Sequence, residues 1–159
     1  MQNNDFRELN NTQSMLFAVG GVLMVVGIGC FVFMFQQQIA GCVFLVGAVL
    51  FALMQCMQVY LGKDRTLRRL KSIMNLADLL FVLTGVLMID TAITNAAQAD
   101  PIHAHRFLSQ MFTNWTTYIE CVYNKWIVLL FIAVTLEVYT THRISHELAK
   151  NTPKNKPEN

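Results

Sequence analysis

The chain has 159 residues, of which 54% are hydrophobic and 14% charged, where a soluble domain carries about 25% charged residues. Its net charge of +2 comes from 12 basic and 10 acidic residues gathered between long uncharged runs. That pattern excludes an ordinary soluble globule and a basic nucleic-acid-binding face, and it predicts an all-α integral membrane protein.

Residues 1–13 read as a polar tail with one basic residue, Arg7. Four apolar runs follow, at 14–35, 39–61, 73–93 and 126–142. At about 1.5 Å per residue, roughly 20 residues cross a hydrocarbon core of ~30 Å. The fourth run is short and is expected to borrow aromatic length from 118–125. The expectation is an up-down-up-down four-helix membrane bundle over 14–148, closed by a Pro-, Lys- and Asn-rich disordered tail over 149–159.

The first run exceeds the apolar core of a signal peptide, about 7–15 residues, so it is expected to remain as a span. Ile39, Ala40, Gly41 and Cys42 look like a lipoprotein cleavage box, but Gln36, Gln37 and Gln38 precede them and a second span follows. An uncut hairpin is the expectation. Gly20 and Gly27 share one face of the first span, and Gly41, Ala48, Ala52 and Gln55 share one face of the second. Small residues let membrane helices approach closely, so these two stripes are expected to pack against each other. Cys30 and Cys42 flank the turn symmetrically. Cys30, Cys42, Cys56 and Cys121 show no CxxC spacing and are expected to behave as small apolar residues.

The segment 62–72, GKDRTLRRLKS, holds Lys63, Arg65, Arg68, Arg69 and Lys71. These are expected to set topology and to contact anionic lipid, at about 1 kcal/mol per basic residue near the surface. With four spans, ten of the twelve Lys and Arg residues fall on one side, which predicts that both termini are cytoplasmic.

The third run carries Asp78 and Asp90. Asp78 lies five residues in, roughly 7–8 Å deep, and Glu137 lies at a similar depth in the fourth run. Gln55, Gln58 and Asn75 reach the same slab. An acid facing lipid is costly, so Gln55, Gln58, Asn75, Asp78 and Glu137 are expected to form an inward polar cluster. Thr140 and Thr141 could share its hydrogen bonds. The helix dipole favours an anion at Asp78 and opposes one at Glu137. Such a cluster either ties helices together or moves a proton or cation. Asp90, three residues from the outer end, reads as a boundary residue in reach of water, with Thr94 one turn on as a hydrogen-bond partner.

The connection 94–125 opens with Asp100 and Pro101, a capping pair. Leu108, Met111, Phe112, Trp115, Ile119, Val122 and Trp126 then recur at helical spacing, predicting an amphipathic helix that leads toward the fourth run and either lies on the outer membrane surface, forms a lid on the bundle or offers an interface to another membrane protein. Trp115, Tyr118, Tyr123 and Trp126 suit a headgroup belt. Asn114, Trp115 and Thr116 form a glycosylation sequon.

His142 and His146 share a face without a third ligand, and His103 and His105 form a separate pair, so no metal and no cofactor is expected. No nucleophile–base pair or phosphate loop is present in the sequence, and an enzyme is not expected. The favoured function is helix association, as an accessory or scaffold subunit or a homo-oligomer. Its partners would be the lipid bilayer and another membrane protein or a second copy. The alternative is a small transporter or channel component using Asp78 and Glu137.

Overall fold

The computed structural model describes residues 11–57, 65–99, 108 and 115–151. These residues form five α-helices and no strand: α1 (Asn11–Val32), α2 (Gln37–Met57), α3 (Arg65–Ala99), α4 (Trp115–Cys121) and α5 (Trp126–Asn151). α1, α2, α3 and α5 are long and apolar enough to cross a membrane. Helix is the form in which an apolar run satisfies its own backbone without water. Large apolar side chains stand exposed on all four, among them Val25, Val46, Leu79 and Phe131, as suits a hydrocarbon environment.

α1 ends at Val32, three residues before the expected boundary, because the chain turns at 33–36. Phe35 N donates to Cys30 O (2.9 Å) and Met34 N to Phe31 O (3.1 Å), while Met34 takes a φ of 56°. This is a Schellman closure with methionine at the left-handed position where glycine is usual. Its four residues leave α2 no choice but to run back along α1.

The two helices meet through glycine. A Cβ on Gly27 would lie 2.7 Å from Phe44 N, and one on Gly47 would lie 2.8 Å from both Gly20 O and Met24 N. Neither approach leaves room for a side chain, so backbone packs on backbone. Phe17 stacks on Phe51 at 4.4 Å to close the same seam.

The expected pairing of the two stripes needs correction. Gly20 and Gly27 do face α2, but they meet Gly47, Phe44 and Phe51. The Gly41 stripe is turned roughly 80° away and faces α3. A Cβ on Gly41 would touch Ile89, and one on Gly85 would lie 2.9 Å from Leu45 Cδ1. Ala48 is buried among the core residues and Ala52 is half-buried. α2 thus has two small-residue faces, one for each neighbour.

α3 is 35 residues long and begins at Arg65, so most of the basic segment is helical. At about 1.5 Å per residue it extends roughly 50 Å, well beyond a hydrocarbon core. α1 packs on α2, α2 on α3 and α3 on α5. Two further contacts draw α5 across: Trp126 stands edge-on to Phe31 at 5.0 Å, and Glu137 bonds Gln55. The core between them holds Phe44, Ala48, Phe81, Met88 and Ala133.

The amphipathic helix expected through Trp126 is interrupted. α4 has seven residues, and a turn at 122–125, with Asn124 at φ 60°, separates it from α5. Tyr118 and Trp126 are buried, so neither joins a headgroup belt. Residues 100–107 and 109–114, with Met111, Phe112 and the sequon's Asn114, lie outside the described residues, as do Gln58, Lys63 and the tail 152–159. α5 runs to Asn151, past the expected tail boundary at 149.

Candidate functional site

Polar side chains gather at the two ends of the packed helices. One group lies at the end where α3 begins. Leu67, Lys71, Met74 and Asp78 follow one another at spacings of four, three and four residues, a single helical face. All four are buried there. Lys71 Nζ donates to the backbone oxygen of Gln55 (2.6 Å), and Gln55 Nε2 donates to Glu137 Oε1 (2.7 Å). Lys71, Asp78 and Glu137 lie within electrostatic reach of one another. Three helices therefore meet on one cluster of two carboxylates, one ammonium and one amide.

Of the expected members, Gln55, Asp78 and Glu137 are brought together, and Gln58 lies outside the described residues. Asn75 is exposed and drops out: it follows the buried Met74 by one residue, about 100° around the helix. Thr140 is buried but donates to Leu136 O (2.8 Å) in its own helix, and Thr141 is exposed, so neither threonine hydroxyl bonds the Glu137 carboxylate. Lys71 enters in their place. Its expected lipid contact is contradicted, because only 8% of it is exposed and its ammonium is spent on Gln55. Arg65, Arg68 and Arg69 are exposed.

The second group lies at the end of the α1–α2 turn. Asp90 is 1% exposed, not a boundary residue in reach of water. Tyr118 Oη donates to Asp90 Oδ2 (2.5 Å), and Leu108 N donates to Asp90 Oδ1 (2.9 Å). The Tyr118 proton is committed to the carboxylate, so Thr94 Oγ1 donates to Tyr118 Oη (3.0 Å) and does not reach Asp90 itself. Beside them, Asn95 Nδ2 donates to Gln37 Oε1 (3.1 Å) and Tyr123 Oη to Asn95 Oδ1 (2.7 Å). The segment between α3 and α5 is thereby folded down onto the helix ends. The spacing of Asp90 and Thr94 marked this face of α3, but nothing in the sequence pointed to Tyr118 as its partner.

Burial first, and then the hydrogen bond to Asp90, push the Tyr118 phenol up from 10.0 to about 12. A raised phenol stabilises the fold below pH 10 and withdraws that support as the pH climbs towards 12. In a spectrophotometric titration at 295 nm, the Tyr118 step is expected above the ordinary phenol range. That step should coincide with loss of structure and disappear in Tyr118→Phe.

Among the described residues, no group of three or more His, Cys, Asp or Glu side chains is arranged to hold a metal ion. His142 and His146 are both exposed on α5. Cys30, Cys42 and Cys56 are free thiols. Compared with known proteins, the chain matches no family model, no curated protein and no solved structure.

Proposed function

We propose that the protein is a four-span, up-down-up-down membrane bundle that acts by association, as an accessory or scaffold subunit or as a homo-oligomer. The observation that supports this reading is how the buried and half-buried polar groups are spent. Gln55–Glu137, Lys71–Gln55, Asn95–Gln37, Tyr118–Asp90 and Tyr123–Asn95 each join two different elements. Hydrogen bonds of this kind rigidify membrane helices at roughly 0.6–2 kcal/mol each. The product is a stiff body with apolar outer faces on α1 and α5. The lysine and arginine bias supports an orientation with both termini in the cytoplasm.

Purification from native membranes in mild detergent tests the association. The expected result is a complex of defined stoichiometry, either with one membrane partner or of several copies. A monodisperse single copy from the same membranes sinks the proposal.

One observation favours a second reading, a small transporter or channel component. Neither oxygen of the buried Asp78 has a hydrogen-bond partner, and an ionisable group kept so inside a membrane protein marks function by default. Proteoliposomes that pass protons or cations, and stop with Glu137→Gln, would establish it.

A further inference from the structure

The cluster at the start of α3 is incomplete in two independent ways. The first is charge. With all three groups ionised, the two carboxylates of Asp78 and Glu137 would outnumber the single ammonium of Lys71 by one. Buried charge is tolerated when it is paired, and expensive otherwise. The second is hydrogen bonding. Asp78 Oδ1, Asp78 Oδ2, Glu137 Oε2 and Gln55 Oε1 are buried acceptor atoms without a donor. Gln55 and Asp78 are each only 2% exposed, so both are shut off from bulk solvent. Lys71 does not supply the missing donor, because its ammonium makes no ion pair with either carboxylate among the described residues and is turned to the Gln55 carbonyl.

We propose that Asp78, Glu137 and Gln55 form a binding site for a single hard monovalent cation of the alkali class, with Lys71 as its fixed internal counter-charge. The donor set is all oxygen, which suits a hard cation and not a soft metal. One positive charge neutralises the cluster, whereas a divalent ion would leave it buried with a charge of the opposite sign. A proton also supplies one charge, but it converts one oxygen to a donor and pairs one more, leaving acceptors over. A cation draws several of these oxygens to itself at once. The inference deepens the second reading above but concerns binding only, so a protein that binds the cation without moving it satisfies this proposal and fails that one.

The test uses the full chain in mild detergent, with the thermal unfolding midpoint followed as sodium chloride replaces choline chloride at constant ionic strength and pH. A ligand that binds the folded state alone raises the midpoint saturably. The expected result is such a rise with sodium, abolished in Asp78→Asn. Lys71→Gln removes the counter-charge and is expected to lower the half-saturating sodium concentration by about tenfold. A midpoint that stays constant as sodium replaces choline, a sodium response retained by Asp78→Asn, or a midpoint that answers to acid and not to sodium overturns the proposal. If Asp78→Asn does not fold, an unchanged half-saturating concentration in Lys71→Gln overturns it as well.

Discussion

Gly27→Leu is expected to separate α1 from α2 and to cost about 3 kcal/mol or more, the upper range for forcing atoms into a packed seam. A single Cβ at this position would already sit 2.7 Å from Phe44 N and 2.8 Å from Phe44 Cα. Those are backbone atoms of a helix, so the strain has no flexible side chain to absorb it. The whole seam must open by more than an ångström, and the Phe17–Phe51 stack opens with it. Gly29 supplies the internal control. It lies two residues on, in the same helix, and a Cβ there meets nothing within 4 Å. Gly29→Leu should therefore stay within about 0.5 kcal/mol of the parent. Unfolding in detergent by graded denaturant measures both. Equal midpoints for the two variants would show that the seam is not built on Gly27.

Tyr118→Phe is expected to cost about 2–3 kcal/mol, the range for losing a hydrogen bond to a charged group and leaving the partner buried. The substitution strips Asp90 Oδ2 of its donor and Thr94 of its acceptor while keeping the ring in place. In an Asp90→Leu background the same change should cost less than about 1 kcal/mol, because the partner has gone; the difference is the coupling between them. Hydrogen exchange should localise the loss to α4 and the adjoining end of α3. Additive costs in the double variant would mean that Tyr118 acts through packing alone.

The four long helices were legible because length and apolarity in a run are enough to identify a span. Their ends were less so. The charges at 63–71 break the apolar window, yet Leu67 and Leu70 still face inward, so α3 begins eight residues before the hydropathy does. A stripe of small residues names a face of a helix and not the neighbour it meets, which is why Gly41 belongs with α3 while Gly47 serves α1. The polar cluster was legible in its depth and only partly in its members. Lys71 was readable as the residue seven before Asp78 on one face, but its charge invited a place at the lipid surface. Asp90 was misplaced because its partners, Tyr118 and Leu108, come from a segment whose fold is set by contacts distant in sequence.

The packing of α1 on α2, α2 on α3 and α3 on α5 bears on how the molecule can be made. Synthesis delivers the helices in that same order, and each leaves the ribosome to find its main docking face already in the bilayer. No helix has to wait for a later one, and no strand-like long-range pairing must be closed before the local contacts reward it. α5 is the exception in one respect. Its links to Phe31 and Gln55 reach back past α3 to the first two helices, so the seal on the buried acids is the last event of assembly. A nascent chain stalled before α5 would hold Asp78 in a bilayer without Glu137 beside it, the stage at which membrane quality control has a charge to read.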